Sequence, residues 1–195
     1  TVKAMIDDIQ AKYKAESFKV VIDNSPVKLS GDRMDVRVRE TNLGNAVADA
    51  LLDYGQSDFT HKSNLAVTNG GGLRETIAKD KPITKGDIIA VLPFGNSVAQ
   101  IQVTGQNIYD MFVKSLGSIL QVDESGKNVF DENGQPLLEP SGGFLQVAGA
   151  RVYYDTTLPT EKRILSIDIL DPETGVYKPL NTTETYYLVT NDFLA

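Results

Sequence analysis

The sequence predicts an α+β domain in which helices pack against a mixed β-sheet. Apolar residues recur with helical spacing mainly in the earlier part of the chain, whereas short alternating or continuous apolar runs dominate the later part. The 195 residues are enough to bury a substantial core within one compact domain. We expect residues 1–25 to form a linker helix and a short lead-in strand, and residues 26–195 to form the domain itself.

The first predicted element is an amphipathic helix over residues 1–16. Its apolar positions lie on one helix face and charged residues fill the other; that face consists of Val2, Met5, Ile6, Ile9 and Tyr13. Such a face must pack on this domain or on a neighbouring one. Phe18–Ile22 follows as a short strand and leads to a turn at Ser25-Pro26.

The next segment carries three arginines within seven residues. If residues 33–39 are extended, the period of two places Arg33, Arg37 and Arg39 on one side. A cationic row is unusual in a chain whose net charge is −7. It is either a binding surface or the solvated edge of a sheet, where charge protects against aggregation.

A second helix is predicted over Asn42–Tyr54, because its apolar residues form a single stripe. Thr41 or Asn42 can cap its first turn, and Gly55 is placed to end it. The continuous apolar run Leu65–Thr68 then predicts a buried strand.

The rest of the chain is predicted to contain mostly strands. Lys85–Leu92 and the alternating Ala99–Thr104 are expected to be strands, and a helix is expected to begin at Gly105. Residues 121–143 are rich in Gly, Asp and Asn, which indicates a long loop or hairpin excursion. Three later strands are predicted at Arg151–Tyr154, Ile164–Leu170 and Tyr186–Thr190. No internal repeat is evident.

Composition excludes several kinds of function. Cysteine is absent, which excludes disulfides and thiolate catalysis and fits either a cytosolic protein or a secreted Gram-positive one. The chain has no basic run that would indicate a nucleic-acid-binding surface. It also has no apolar stretch as long as a membrane span. The chain has one histidine, His61, which is predicted to lie at the surface. A metal site has no second histidine to share the ligands, and a serine triad would have to rely on His61 alone. Paired carboxylates stay open as catalytic groups.

The segment Asn69-Gly70-Gly71-Gly72-Leu73-Arg74 is the strongest local indication of a ligand site. Three glycines open backbone conformations with positive φ and allow amides to approach a ligand closely. Asn69 and Arg74 then flank that ligand, and the planar Arg74 guanidinium suits phosphate oxygens or ribose hydroxyls. The alternative is an ordinary strand-to-helix turn with solvated flanks. The segment lacks the spacing of a dinucleotide site or a P-loop.

Two phenylalanines fall where little core burial is available. Phe94 lies in the tight turn Pro93-Phe94-Gly95, and Phe193 follows Asn191-Asp192. Each is either a hydrophobic lid over the sheet or an exposed ring that stacks on a planar ligand such as a nucleobase.

Five motifs occur in a fixed order: Arg37–Asn45, Asn69–Arg74, Leu92–Asn96, Gly143–Gly149 and Thr190–Ala195. Together they strongly resemble the C-terminal domain of the 5′-nucleotidase family, which includes UDP-sugar hydrolases and 2′,3′-cyclic-nucleotide phosphodiesterases. The resemblance extends from about Gly31 to Ala195. One motif alone is weak, whereas five in order are highly specific.

The resemblance implies that this domain recognises a nucleotide substrate. It implies a base sandwiched by Phe94 and Phe193, with Asn69 and Asn96 at or near the base edge. It assigns the phosphate and ribose groups to Arg33, Arg37 and Arg74, and makes the Gly-rich turn with Gly71 and Gly72 one wall of the pocket. It leaves the division of roles among the arginines open.

The resemblance also implies a partner domain. In the family, an N-terminal metallophosphoesterase domain holds two divalent metal ions and the catalytic histidine, so we expect no catalytic residue or cofactor in this chain and no hydrolysis by it alone. The family continues past the Phe-Leu-Ala segment into a Gly-Gly-Asp-Gly turn expected to bind ribose, so we interpret this chain as C-terminally truncated. The implied location is extracellular, cell-wall-attached or periplasmic. A cyclic-nucleotide phosphodiesterase, a UDP-sugar hydrolase or a non-catalytic surface module stay open as alternatives.

Overall fold

The computed structural model describes all residues from Thr1 to Ala195 and confirms the α+β class. Five helices are present: α1 (Val2–Ser17), α2 (Arg33–Val36), α3 (Asn42–Ser57), α4 (Lys85–Val91) and α5 (Gly105–Ser115). Nine strands are present: β1 (Val20–Ile22), β2 (Leu65–Asn69), β3 (Ile83–Thr84), β4 (Val98–Thr104), β5 (Leu145–Ala148), β6 (Ala150–Tyr154), β7 (Ile164–Leu170), β8 (Tyr177–Pro179) and β9 (Thr185–Asn191). Two short 3₁₀ helices lie at Gly70–Gly72 and Thr160–Lys162.

A four-stranded sheet in the order β4-β9-β2-β5 forms the centre of the fold. Strands β2 and β9 are parallel, and the other two pairings are antiparallel, so the sheet is mixed as predicted. Helix α3 covers one face and packs Ala48 and Leu52 on the sheet. Helix α5 and strand β7 cover the opposite face, where the largest core cluster consists of Leu65, Val67, Ile108, Phe112, Ile167, Ile169, Tyr186 and Leu188.

A second sheet has the strand order β6-β7-β8, and its first strand follows directly on β5 of the central sheet. The chain turns from β5 into β6 at Gly149, whose φ is +70°. A methyl group on Gly149 would lie 2.3 Å from the Asn64 carbonyl oxygen, so the turn needs glycine for both conformation and space.

Most of the predicted helices and strands are confirmed. Helix α3 is capped by Thr41, whose hydroxyl accepts from the Gly44 amide, but it continues through Gly55 to Ser57. Gly55 serves packing, because a methyl group there would lie 2.6 Å from Ser63 Oγ. The predictions missed three strands: the two-residue β3, β5 inside a recognised motif and the three-residue edge strand β8.

Two predicted elements are wrong. Lys85–Leu92 is the helix α4, because Thr84 and Asp87 form a capping box that satisfies its free amides. Arg33 belongs to the helical turn α2, whose amide at Met34 is capped by the Asp32 carboxylate, and the chain then turns rather than extends. The period-two argument for one row of arginines therefore fails.

Residues 121–143 form the expected hairpin excursion, built from two turns of the same geometry. Asp123 Oδ1 accepts from the amides of Ser125 and Lys127, and Asp131 Oδ1 accepts from the equivalent amides eight positions later. Each turn ends on a glycine of positive φ. This short local repeat was not evident in the sequence.

The amino-terminal segment is much less buried than the rest. No residue of α1 is buried, and its apolar face is exposed from Val2 to Tyr13, as expected for a helix whose partner lies outside this domain. Strand β1 pairs with β3, which attaches the amino-terminal segment to the domain. No helix is both long and apolar enough to cross a membrane.

Candidate functional site

The sequence-predicted site residues gather at one end of the four-stranded sheet. The parallel strands β2 and β9 end there at Asn69 and Asn191. The antiparallel strands β4 and β5 begin there at Val98 and Leu145, which pair with those two asparagines. Four chain segments that are distant in sequence therefore meet at this edge.

The Gly-rich turn, residues 70–72, is a 3₁₀ turn that packs inward. A methyl group on Gly70 would lie 1.9 Å from the Val36 carbonyl oxygen, and one on Gly71 would lie 3.0 Å from Gly142. The Gly70 and Gly71 amides donate to the carbonyls of Phe144 (2.7 Å) and Gly142 (3.0 Å). None of the three glycines has positive φ. The expected positive φ is thus wrong, and these two amides are used inside the fold.

Three arginines, which we call the arginine wall, face the site without an acidic partner: Arg33, Arg37 and Arg74. None of them forms a salt bridge. Burial, together with repulsion from Arg33 and Arg74, lowers the pKa of Arg37. Arg37 Nε is buried and has no hydrogen-bond partner. Arg37 is thus a partly desolvated cation without an acidic partner, beside two exposed arginines, and such a group is suited to hold an anionic ligand.

Arg39 differs from these three although it is close in sequence. Its Nε and Nη2 donate to Asp35 Oδ1 (3.0 and 2.5 Å), and its Nη1 donates to Glu132 Oε2 (3.3 Å). These bonds use the guanidinium within the fold. The structure therefore separates Arg33 and Arg37, one helical turn apart, from the third arginine of the segment.

Arg74 joins the cationic and aromatic parts of the site. Its Nη1 donates to the Gly71 carbonyl at 3.3 Å, and its Cζ lies 5.4 Å from the centroid of the Phe94 ring. This distance is within the range of a cation–π interaction. One face of Phe94 is thus against a cation, and the rest of the ring is free to meet a ligand.

Two exposed rings, which we call the aromatic wall, lie on turns at the same edge. Phe94 is 58% exposed and Phe193 is 74% exposed, so neither is a buried lid. The two turns are tied together, since the Ser97 amide donates to Asp192 Oδ1 (3.2 Å) and the Asp192 amide donates to the Ser97 carbonyl (2.9 Å). This pairing places both rings at one end of β4 and β9.

The two candidate asparagines have different environments. Asn69 is 7% exposed; its Nδ2 donates to the Gly142 carbonyl (3.2 Å), and its Oδ1 accepts from Asn191 Nδ2 (3.3 Å). It therefore joins the end of β2 to the Gly142 backbone and to the end of β9. Asn96 is exposed beside Phe94, and its side chain makes no hydrogen bond within the chain, so it is free to meet a ligand.

Sequence reasoning missed the residues that hold this site in place. Gln146 is fully buried beneath the arginine wall, and Asn191 and Asp192 connect the aromatic turns to β2 and β4. A glutamine inside the apolar run Phe144–Val147 was the available signal, because a polar side chain in a buried strand must find hydrogen-bond partners.

The chain offers no convincing metal site. No group of three or more His, Cys, Asp or Glu residues is arranged to hold a metal ion. His61 is exposed, as predicted, and its ring stacks on Tyr187 with centroids 4.3 Å apart. The residues present thus do not fit a metal centre.

The fold is an α+β domain, and one end of its central sheet brings unpaired arginines together with exposed aromatic rings. Residues 20–195 match the family model described as the 5′-nucleotidase, C-terminal domain, and the chain belongs to that family. The resemblance seen in the five motifs is confirmed.

Individual relatives agree with this assignment. The trifunctional nucleotide phosphoesterase protein YfkN of Bacillus subtilis (strain 168) is 32% identical over 193 residues, which are 95% of this chain and 12% of the relative. A snake venom 5′-nucleotidase of Gloydius brevicauda is 30% identical over 213 residues, which are 99% of this chain and 33% of the relative. The crystal structure of a 5′-nucleotidase precursor from Thermus thermophilus superposes with a TM-score of 0.72 at 32% identity, covering 99% of this chain and 33% of that chain. The chain therefore spans a third or less of these relatives.

Proposed function

We propose that this chain is the nucleotide-recognition domain of a two-domain, metal-dependent phosphohydrolase that dephosphorylates nucleoside 5′-phosphates. The observation that carries the proposal is the meeting of three unpaired arginines and two exposed phenylalanines at one sheet edge. A nucleotide is a ligand that needs both features, because it joins an anion to a planar aromatic base. Membership of the 5′-nucleotidase C-terminal family supports the same assignment.

In this proposal, each wall binds one part of the nucleotide. Phe94 and Phe193 stack on the base, a contact that accepts any base because every base has a π-face. Arg33, Arg37 and Arg74 hold the phosphate and ribose groups through charge-assisted hydrogen bonds. Asn96 reaches the base edge, and Asn69 with Gly71 and Gly72 forms the wall beneath the ligand.

The hydrolytic chemistry is assigned to a domain outside this chain. We propose that an N-terminal metallophosphoesterase domain supplies two divalent metal ions, which polarise the phosphate and activate water when bound. The exposed apolar face of α1 supports residues 1–25 as the connecting segment and residues 26–195 as the binding domain. Rotation of one domain against the other would then carry the bound nucleotide to the metals.

We also propose an extracellular or surface location for the parent protein: secreted, cell-wall-attached or periplasmic. The snake venom relative supports export of at least one member of the family. Fractionation of the source cells with an antibody against this domain tests the location, and recovery in the cytosol alone would contradict it.

The test of the proposed function uses the full-length protein and two ligands. AMP and adenosine are titrated by calorimetry with divalent metal removed by a chelator, so that binding is measured without turnover. We expect Arg74→Ala to weaken AMP binding and Phe94→Ala to weaken both ligands. Phe130→Ala, which removes an exposed ring far from the site in sequence, is the matched control. Unchanged AMP affinity in both site variants would refute the assignment.

A second activity is favoured by the similarity to YfkN, a trifunctional nucleotide phosphoesterase. Full-length protein with added divalent metal is therefore assayed on AMP, 2′,3′-cyclic AMP and UDP-glucose. Preferred turnover of AMP supports a 5′-nucleotidase. Turnover of none, with site-dependent AMP binding retained, would instead indicate a non-catalytic ligand-binding module.

A further inference from the structure

A single buried amide lies beneath the arginine wall. Gln146 is 1% exposed in strand β5, where it pairs with Thr68 of β2. Burying an amide is costly unless its hydrogen-bonding groups are satisfied. We therefore expect the Gln146 amide to be hydrogen-bonded, and its partners show which part of the chain it holds in place.

The side chain of Gln146 makes three hydrogen bonds, and all three go to the backbone around Arg37. Its Nε2 donates to the carbonyls of Val36 (3.1 Å) and Arg39 (2.8 Å), which uses both of its N–H groups. Its Oε1 accepts from the Thr41 amide at 3.1 Å. The three partners lie on either side of Arg37, so one side chain ties the whole turn between α2 and α3 to the sheet.

The first turn of α3 leaves room for this amide. A methyl group on Gly44 would lie 2.0 Å from Gln146 Oε1, so the glycine is needed for the amide to reach the Thr41 backbone. Thr41 in turn caps α3 by accepting from the Gly44 amide at 3.0 Å. The amide, the cap and the glycine form one interlocked arrangement.

The position of Arg37 depends on this backbone rather than on a side-chain partner. Its guanidinium has no acid to hold it, and Arg33 and Arg74 repel it. Two other contacts help to hold the turn: the Ser141 amide donates to the Arg37 carbonyl at 3.0 Å, and Arg39 pairs with Asp35. Gln146 supplies the side-chain hydrogen bonds that join the turn to the central sheet, beside the packing of Gly70 on the Val36 carbonyl.

We propose that Gln146 is a positioning residue that fixes Arg37 for recognition of the anionic group of the ligand. Three backbone bonds hold the turn against the mutual repulsion of the arginines, so the guanidinium is already in place before the ligand arrives. The inference rests on the proposed function, because it needs an anion bound at the arginine wall.

The test compares a charged ligand with its uncharged counterpart in the full-length protein. Gln146→Met keeps the length of the side chain and removes all three hydrogen bonds. We expect the Kd of AMP to rise about tenfold and the Kd of adenosine to change less than about twofold, since only the charge-assisted contact is displaced. A purely structural defect would weaken both ligands alike.

Two comparisons complete the test. Gln100→Met is the matched control, because the Gln100 amide nitrogen also lies within hydrogen-bond distance of three oxygens, those of Gly55, His61 and Ser63, but on β4. It should leave the ratio of AMP to adenosine affinity unchanged. In an Arg37→Ala background, adding Gln146→Met should change AMP affinity by less than about twofold, because both act through one contact.

The possible failures are distinguishable. If Arg37→Ala selectively weakens AMP but Gln146→Met does not, the positioning role is refuted and the proposed function stands. If Arg37→Ala leaves AMP affinity unchanged, the assignment of Arg37 in the proposed function fails.

Should Gln146→Met prevent folding, as judged by thermal melting, Gln146→Asn takes its place, since it keeps the amide and only shortens its reach. An unchanged AMP-to-adenosine ratio in that variant would equally refute the proposal.

Discussion

The two walls of the site are held in different ways. The arginine wall lies on α2, on the residue that ends it and just after the Gly-rich turn, and the end of α2 leaves no room for a methyl group at Gly70. The buried Gln146 amide ties the turn after α2 to the sheet, and the buried Asn69 amide donates to the Gly142 carbonyl, which also accepts from the Gly71 amide. The aromatic wall lies on exposed turns, and Gly95 beside Phe94 has no atom within 4 Å of where a methyl group would be.

This difference follows from what each wall has to do. Hydrogen bonds to an anion depend on direction and distance, and three like charges separate unless a rigid scaffold keeps them together. Stacking on a base tolerates sliding of one ring over the other. We therefore expect the arginine wall to be rigid and sensitive to changes in its support, and the aromatic wall to be adaptable.

The largest expected effect comes from adding one methyl group to a glycine next to each wall. Gly70→Ala places a carbon 1.9 Å from the Val36 carbonyl oxygen and should lower the free energy of unfolding by about 3 kcal/mol or prevent folding. Gly95→Ala meets open space and only strains a φ of +65°, at about 1 kcal/mol. Denaturant unfolding measures both. Equal losses would show that the two walls do not differ in rigidity.

Removing a cation should affect only the charged ligand. Arg37→Ala is expected to weaken AMP binding by roughly 2 kcal/mol, the size of a hydrogen bond to a charged group, and to leave adenosine nearly unchanged. Arg39→Ala is the matched control, since its guanidinium is used by Asp35 and Glu132. Calorimetric titration measures both ligands. A larger AMP effect at Arg39 would place the anion elsewhere.

Removing a ring should affect both ligands equally. Phe94→Ala and Phe193→Ala are each expected to weaken AMP and adenosine by about 1–2 kcal/mol, the usual range for one base-stacking contact. Phe94→Tyr preserves a stacking ring and should restore most of the affinity. If adenosine binding survives both alanine variants, the base does not lie between these rings.

The smallest expected effect is that of salt. Raising the ionic strength from about 0.05 to 0.5 M should weaken AMP binding a few-fold, because screening reduces attraction at the arginine wall. Adenosine binding should be unaffected by the same change. Parallel titrations in KCl test this, and identical salt dependence for the two ligands would argue against a direct contact between the arginines and the phosphate.

Local signals in the sequence were sufficient for part of the fold. The apolar stripe and the Thr41 cap predicted α3, and alternation predicted β4. The same signals failed at residues 85–92, where an apolar run was interpreted as a strand although Thr84 and Asp87 form a capping box. A short apolar run does not separate helix from strand, so only the cap chemistry could have decided it.

The candidate site was predictable in its residue types but not in their use. Phe94 stands out because it lies in a tight turn, Arg74 because it flanks the Gly-rich segment, and Arg37 because a row of arginines is unusual in a chain of net charge −7. The burial of Asn69 depends on Gly142 and Asn191, which are far from it in the chain. Patterns among neighbouring residues do not reveal such distant partners. The hydrogen-bond partners of Gln146 are equally distant in the chain.

The sequence alone determined the α+β class, the family and the set of groups available for binding, because composition, periodicity and the order of motifs are properties of the chain itself. The tertiary structure decided which groups are free. Arg39 is neutralised by Asp35 and Glu132, whereas Arg33 and Arg37 are not, and this depends on how α2 and the turn at Asp131 meet in space. Pairing and burial arise from long-range contacts, and these determine whether a charge is available to a ligand.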